Sequence, residues 1–285
     1  MAIKNRYDFV MLFDVENGNP NGDPDAGNNP RVDAETEHGY ITDVCLKRKI
    51  RNYVELCKEG EAGYNILIKP DRTLNTKFTE AYEKCGLKKG GKSGKNDEAE
   101  RTARDYMCSN YFDVRAFGAV MSTGDNPCGI VRGPVQINFA RSISPINIED
   151  VTITRQAITN EKDKEKGNTM GRKSIIPYAL YRAEGYISAS LADKITGLSD
   201  EDVELLWEAI INMFENDHSA ARGKMCMRRL YVFKHDNMLG NCPSHILFDK
   251  ISIVQKDSAP PRSFNDYEIT VDGNMPVGVE FISKI

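Results

Sequence analysis

The chain has 285 residues, of which 40% are hydrophobic and 28% are charged, a composition typical of a folded globular protein. No run approaches the ~18 consecutive apolar residues of a membrane span, and the N-terminus lacks a signal-peptide pattern, so we expect a cytoplasmic protein with no membrane partner. The formal net charge of −4 argues against unselective binding of nucleic acid, but local basic segments can still hold a polyanion along a defined path.

Metal and disulfide sites find little support in the sequence. The seven cysteines form no C-x-x-C pair and only four histidines are present, which predicts reduced, mostly packed thiols. Counted from Asp23, an EF-hand fails because position 6 is Asn28 rather than Gly and position 12 is Ala34 rather than Glu. A less regular metal site in the acidic loop around Asp23 remains an open alternative.

The first predicted element is a buried strand over Tyr7–Val15, where the apolar residues are nearly continuous. It leads into an irregular loop, Glu16–Pro30, that is rich in Asn, Gly and Pro. A loop of this length inside a compact protein is usually functional or disordered. Its backbone and side-chain amides suit hydrogen bonds to phosphate or to base edges.

A helix is predicted next, over Thr42–Cys57, with Thr42 or Asp43 as its cap and Gly60 at its end. On a helical wheel one face is apolar and the other carries a basic stripe with Lys49 at its border. A phosphate at the N-terminus would relieve the repulsion between these cations and the helix dipole, whereas a solvated basic face is the open alternative. The apolar face comprises Leu46, Ile50, Tyr53, Val54 and Cys57, and the stripe comprises Lys47, Arg48 and Arg51.

The segment Asp71–Met107 is predicted to be a surface insertion with a mobile tip, since Leu87–Asn96 is glycine-rich and strongly basic. Gly86–Ser93 matches the P-loop pattern G-x-x-x-x-G-K-S letter for letter. That pattern holds phosphate only where a buried strand precedes it, whereas Thr79–Cys85 is polar and typical of a helix. An ATP-binding protein stays an alternative, which the loss of nucleotide binding in a Lys92→Ala variant would test.

Strands dominate the rest of the chain. Two strand-like arms, Val151–Ile158 and Ile175–Leu191, flank a charged, glycine-bearing tip and predict a projecting hairpin. Ser199–Asp202 resembles a capping box that opens a helix, and a basic segment from His218 to Lys234 follows it. The other predicted strands are Val114–Met121, Ile130–Ala140, Met227–Phe233, His245–Val254, Tyr267–Val271 and Val277–Ile282.

Several of these segments together resemble the backbone subunit of type I-C CRISPR Cascade complexes. The most specific are Phe13–Pro24, which reads FDVENGNPNGDP, and Gly39–Arg51, which reads GYITDVCLKRKIR. The similarity covers nearly the whole chain. Further matching segments are Asp113–Gly118, Gly133–Ile137, Ala140–Ile143 and Arg172–Ala189.

The resemblance implies an α+β fold. Residues 1–285 would form a single RRM-like, ferredoxin-type palm domain, with a finger region inserted at about 64–110 and a projecting thumb hairpin at about 155–176. It also implies a protein without catalysis or cofactor whose copies stack head to tail along one crRNA. The implied partners are crRNA, target DNA, further copies of the chain, the Cascade subunits that cap the two ends, and the small subunit.

The resemblance assigns roles to residues on five segments. The Asn-rich loop, the basic helix, the thumb tip and the basic segment after the second helix would contact RNA, while the finger tip would face target DNA. The RNA-binding residues would be Asn17, Gly18, Asn19, Asn21, Lys47, Arg48, Arg51, Thr169, Met170, Arg172, Lys173, His218, Ser219, Arg222 and Arg228. The target-DNA residues would be Lys88, Lys89, Lys92 and Lys95.

The main alternative from another functional class is a metal-dependent ribonuclease that cuts target RNA. Related type III backbone subunits use an acidic residue near the start of the same helix, where this chain has Asp43. Against it, contacts from Lys and Arg to phosphate are independent of sequence, as a protein that carries any guide requires. Recognition of the target is then left to Watson–Crick pairing.

Overall fold

The computed structural model describes residues 1–88, 97–155 and 169–285, without the side chains of 97, 155 and 169. The expectations placed on 89–96 and 156–168 therefore lie outside the described residues. The described strands are β1 (Tyr7–Gly18), β2 (Gly22–Asp23), β3 (Asn29–Pro30), β4 (His38–Ile41), β5 (Gly118–Met121), β6 (Gly129–Arg132), β7 (Val135–Ile137), β8 (Ala140–Pro145), β9 (Glu149–Arg155), β10 (Thr169–Ile187), β11 (Lys224–His235), β12 (Ile251–Gln255), β13 (Tyr267–Val271) and β14 (Val279–Ser283).

Helices alternate with these strands and are mostly short. They are α1 (Asp43–Cys57), α2 (Leu74–Lys84), α3 (Asp97–Asn110), α4 (Phe112–Phe117), α5 (Ala189–Leu191), α6 (Asp200–Asn212) and α7 (Ser244–Phe248). The side chain of Thr42 caps α1, and Ser199 with Asp202 forms the predicted capping box at the start of α6. One expectation for α1 is wrong: Cys57 is exposed at the end of the helix rather than part of its apolar face.

A central antiparallel sheet organises the fold, with the strand order β14-β11-β1-β10-β8-β4 and with β7 also paired to β10. The first strand lies in its middle, since Tyr7 pairs with Ile187 of β10 on one side and with Lys234 of β11 on the other. Strand β1 is buried on both faces, which explains its nearly continuous apolar sequence.

Helices α1 and α6 cover one face of this sheet. Phe9 and Phe13 of β1 point to this side, where the ring centroid of Phe9 lies 5.1 Å from that of Trp207 and the ring of Phe13 lies 5.1 Å from that of Phe214. Leu46 and Ile50 of α1 are fully buried in the same core. The apolar stripe of α1 therefore fixes which of its residues face outward.

The C-terminal segment covers the opposite face of the sheet. The alternate residues Val10 and Leu12 of β1 pack there against Leu247, Phe248 and Tyr267. This segment contains α7 and the β12–β13 hairpin, whereas the sequence predicts a strand over His245–Val254. That prediction is wrong at its start, where Leu247 and Phe248 of the short helix insert into the core.

The inserted region after α1 has a small hydrophobic core of its own. Helices α2 and α3 and the β5–β6 hairpin bury Phe78, Ala103, Met107, Cys128 and Val131 together. The insertion therefore reaches past the predicted limit near residue 110 to about residue 131.

Two predicted strands next to this insertion are wrong in part. Phe112–Phe117 is a helix, because a short run of fully buried residues carries no periodicity that separates helix from strand. The predicted strand Ile130–Ala140 is broken at Gly133 and Pro134, where a Cβ on Gly133 would lie 2.1 Å from the carbonyl carbon of Phe117. Proline adds to the break since it has no amide hydrogen to donate.

Strands β9 and β10 form the predicted hairpin, with Thr169 opposite Arg155 and Ile175 opposite Glu149. The side chains of Val151, Thr152, Ile153 and Thr154 are all exposed, so both faces of this ribbon meet solvent. The far half of β10 continues into the central sheet, so that the hairpin extends directly from it.

Candidate nucleic-acid interface

The Asn-rich loop after β1 packs closely against the loop that precedes β11. The backbone amide of Asn19 donates to the carbonyl of Ala221 at 2.8 Å. A Cβ on Gly18 would lie 1.9 Å from the carbonyl oxygen of Arg222, and Gly223, with φ of 65°, crosses just as closely over Asn17. Gly18 is therefore required for this backbone crossing, a role that the sequence analysis did not assign to it.

Asn21 joins the same loop to the start of α1. Its Oδ1 accepts hydrogen bonds from the amide and from the hydroxyl of Thr42, both at 3.0 Å, while Thr42 caps the amide of Cys45. Asn19 donates from Nδ2 to the carbonyl of Asn28 at 2.7 Å. Both asparagine side chains thus shape the loop, and their amides are partly occupied by the fold itself.

The basic stripe of α1 is largely neutralised by acids from other parts of the chain. Lys47 pairs with Asp43 at 3.0 Å, and Nε of Arg51 donates to Asp113 at 2.9 Å. Their side chains are only 12% and 11% exposed. These two residues therefore have ion-pair partners within their own polypeptide, and the RNA contact predicted for them stays a prediction.

Arg48 is the exception on this helix. Its side chain is exposed, and its guanidinium has no hydrogen-bond or ion-pair partner among the residues that the structure describes. An uncompensated guanidinium offers five donors in a geometry that matches phosphate oxygens. The first helix therefore contributes chiefly one free cation to the surface.

We expect Arg51→Ala to lower the free energy of unfolding by about 3 kcal/mol, because it leaves the buried carboxylate of Asp113 without its cation. The slope of log affinity for RNA against log salt concentration should stay unchanged. Urea unfolding together with RNA titrations at several salt concentrations measures both. A flatter salt slope in this variant would instead show that Arg51 contacts phosphate.

Two adjoining grooves share Asn19, Asn28 and Ala221 in their walls, and Arg48 lines the first of them. They enclose about 440 and 460 Å³. The first lies over the start of α1 and is further lined by Asn21, Thr42, Arg48, Asn52, Asp217, Ser219 and Arg222. The second is further lined by Asn29, Asp150, Arg172, Lys173 and Ser174.

The second groove brings the β9–β10 hairpin against the loop before β11. Lys173 donates from Nζ to the carbonyl of Ala220 at 2.6 Å, which ties the hairpin to this loop. Arg172 is exposed and, in the described part of the chain, has no hydrogen-bond or ion-pair partner. The grooves therefore place two free guanidiniums, of Arg48 and Arg172, along one connected surface.

Several predicted RNA-binding residues are not in the walls of these grooves. They include Asn17, Gly18, Lys47, Arg51, Met170, His218 and Arg228. Met170 is 76% exposed near the end of the hairpin, and the side chain of Thr169 is outside the described residues. His218 is exposed.

Arg228 belongs to an ionic cluster with the buried carboxylate of Asp14, to which its Nε donates at 2.8 Å. Tyr178 donates to the same carboxylate at 2.9 Å, and the guanidinium of Arg228 lies 5.4 Å from the ring centre of Phe264. Burial raises the pKa of Asp14, while the hydrogen bonds from Arg228 and Tyr178 oppose that rise. Arg228 thus compensates a buried charge, and the RNA contact predicted for it stays a prediction.

The finger lysines are described only in part. Lys88 is exposed, whereas Lys89, Lys92 and Lys95 lie outside the described residues, as do residues 89–93 of the P-loop-like segment. Asp43, the acid on which the ribonuclease alternative depends, is paired with Lys47.

Several residues that line these grooves were not predicted from the sequence, among them Asn28, Asn52 and Asp217. A signal existed for Asn52, which follows Arg48 by one helical turn and so shares its face. No sequence signal existed for Asp217, because its position depends on how the loop after α6 folds back onto α1.

Known proteins of one family are similar to this chain in sequence. The family model described as CRISPR-associated protein Cas7 matches residues 5–272. A curated protein of Haloferax volcanii, named CRISPR-associated protein Cas7, is 27% identical over 255 residues, which cover 81% of this chain and 71% of that protein. The described helices include none that is long and apolar enough to span a membrane.

Solved structures give a similar fold. A chain of a CRISPR RNA-guided surveillance complex, in a state described as pre-nicking, matches with a TM-score of 0.50 and 14% identity over 80% of this chain and 78% of that one. A chain of another CRISPR RNA-guided surveillance complex matches with a TM-score of 0.47 and 13% identity over 80% of this chain and 68% of that one. The mixed α/β architecture with a central antiparallel sheet is thus shared with the first of them.

Proposed function

The chain belongs to the family of CRISPR-associated Cas7 proteins, and from this we propose that it is a crRNA-binding backbone subunit of a CRISPR effector complex. The observation that carries the proposal is the pair of adjoining grooves in which Arg48 and Arg172 are exposed without partners among the described residues. Arginine contacts to phosphate position an RNA strand without reading its sequence. Such contacts suit a subunit that must accept any guide.

We further propose that the central sheet with helices α1 and α6 forms an RRM-like palm. The connectivity β1, α1, β7–β8, β10, α6, β11 and the spatial order β11-β1-β10-β8 are those of a ferredoxin-type βαββαβ unit. The region from about 64 to 131 would be the finger, and the β9–β10 hairpin would be the thumb.

This palm differs from a typical RRM in one respect that bears on the RNA path. In RRMs, aromatic residues on the exposed sheet face stack on the bases. Here the C-terminal segment covers that face with Leu247, Phe248 and Tyr267. We therefore propose that the RNA lies in the grooves, where the loops and the hairpin meet.

The assignment to type I-C Cascade and the wider set of partners are part of the same proposal. Copies would stack head to tail along one crRNA, with other subunits at the two ends, and the guide bases would pair with target DNA. Since such contacts are heterologous and need not close into a ring, the length of the RNA would set the number of copies.

We expect the number of bound copies to increase stepwise as the guide RNA is lengthened. Native mass spectrometry should show successive complexes that differ by one chain of 32.0 kDa plus the added nucleotides. A copy number that is independent of RNA length would contradict the filament. Periodic cleavage of a matching RNA added with Mg²⁺ would instead support the ribonuclease alternative.

A further inference from the structure

One carboxylate stands at the centre of the first groove. Asp217 follows α6 and forms ion pairs with Lys49 of α1 and with Arg222 of the loop before β11. Its side chain is 10% exposed and that of Lys49 is 4% exposed, whereas Arg222 is 35% exposed. One anion therefore serves two cations at the floor of a groove that otherwise presents positive charge.

The ion-paired group of Asp217, Lys49 and Arg222 also lies close enough to the start of α1 to act electrostatically on Cys45. Burial raises the pKa of the Cys45 thiol, and Asp217 adds to this rise, whereas Lys49, Arg222 and Arg48 oppose it. Cys45 lines the same groove. All four charges thus act on one short stretch of the groove.

We propose that Asp217 is a selectivity residue of the RNA groove: its carboxylate neutralises Lys49 and Arg222 and repels phosphate, so that a strand is held only where it reaches Arg48 and Arg172. The inference rests on the proposed function and adds a residue that opposes binding. Without this anion, three cations would lie together over the start of α1, and the groove would attract any polyanion.

The negative charge of Asp217 can be separated from the role of its side chain in holding the loop. Asparagine has the same shape and still offers Oδ1 to Arg222, and the hydrogen bond from Arg222 to the backbone carbonyl of residue 217 does not depend on the side chain. Asp217→Asn therefore removes the negative charge and keeps the hydrogen bonds to Arg222. Because it also leaves Lys49, whose side chain is 4% exposed, without its anion, urea unfolding must show that the variant is folded under the binding conditions.

We expect the full-length Asp217→Asn chain to bind a single-stranded oligouridylate about fivefold more tightly than wild type at low salt, as expected for removing one nearby like charge. The slope of log affinity against log salt concentration should become steeper by about 0.7. Fluorescence anisotropy at several salt concentrations measures both. Unchanged or weaker binding would show that Asp217 only holds the loop and would overturn the inference.

Asp272→Asn is the matched control. It also removes one negative charge from an ion pair, here with Lys250 at 2.8 Å, but Asp272 lines neither groove. Its affinity for the oligonucleotide should equal that of wild type, and an equal gain in both variants would contradict the local effect.

If RNA affinity depends on Arg48 but not on Asp217, this inference alone fails. If wild type does not bind RNA, the proposed function fails with it.

A readout without RNA tests the same electrostatics. Because the Asp217 carboxylate raises the pKa of Cys45, Asp217→Asn should lower that pKa and speed alkylation of Cys45 by iodoacetamide at a given pH. Mass spectrometry resolved to the Cys45 peptide measures the rate. The same rate in wild type and in Asp217→Asn would contradict the central position of the carboxylate.

Discussion

Replacement of Arg115 by alanine should lower the free energy of unfolding by about 3–5 kcal/mol, the cost of breaking a buried ion pair on one side. Arg115 Nε and Nη2 donate to the carboxylate of Asp202 at 2.8 and 2.7 Å. Its Nη1 donates to the carbonyls of Gly63 and Cys108 at 3.0 and 2.9 Å. One side chain thus joins α4, α6 and the start of the inserted region.

The effect should be large because nothing replaces the lost donors. Asp202 would keep only the amide of Ser199, which donates to it at 3.0 Å within the capping box. Its carboxylate would then stay buried with too few partners, since its side chain is 4% exposed. Urea unfolding followed by circular dichroism gives the change in free energy.

Arg72→Ala provides the comparison for an exposed ion pair. Arg72 pairs with Glu80 where the two side chains are 58% and 42% exposed. Exposed pairs contribute about 0–1 kcal/mol, so this variant should unfold almost as wild type does. Similar stability losses in the two variants would contradict the role given to the buried junction.

The double substitution Arg48→Ala with Arg172→Ala should have the largest effect on RNA affinity. Each change removes one free guanidinium from the connected grooves, so the salt slope should become less steep by about 1.4 for a single strand. At about 0.1 M salt we expect the affinity to fall at least about tenfold, without preference for guide sequence. Anisotropy titrations with two guides of unrelated sequence measure both.

Two further variants define the specificity of this effect. Arg141→Ala removes an arginine that is 63% exposed and lines neither groove, so it should bind RNA as wild type does. The variant Arg48→Lys with Arg172→Lys keeps both positive charges and should retain the salt slope, although lysine cannot donate two parallel hydrogen bonds to phosphate as a guanidinium does. An unchanged slope in the double alanine variant would show that the grooves do not hold RNA.

The sequence by itself determined the local elements that carry strong signals. Continuous apolar residues predicted the central strand β1, and the spacing of Leu46, Ile50 and Val54 predicted α1 with its cap at Thr42. The capping box of Ser199 with Asp202 marked the start of α6. These features depend on residues that are neighbours in the chain, so their physics can be read from spacing alone.

Short buried segments were less predictable. Phe112–Phe117 and Ser244–Phe248 are helices inside apolar stretches that the sequence assigned to strands. Phe112–Phe117 is fully buried, so it has no exposed face and no period to distinguish the two structures. Ser244–Phe248, of which only Leu247 and Phe248 are buried, is too short for a period to be read. Burial itself is decided by which distant elements cover the segment.

Only the tertiary structure decided which cations are available to RNA. The stretch from Val44 to Val54 contains no acid, and on sequence alone Lys47, Arg48 and Arg51 are equivalent candidates, with Lys49 at the border of their stripe. Folding brings Asp113 to Arg51 and Asp217 to Lys49, from 62 and 168 residues away, while Asp43 takes Lys47 one helical turn along. A charge is neutralised by whatever lies within a few ångströms of it in space, and that distance is set by packing, which leaves Arg48 to face the groove.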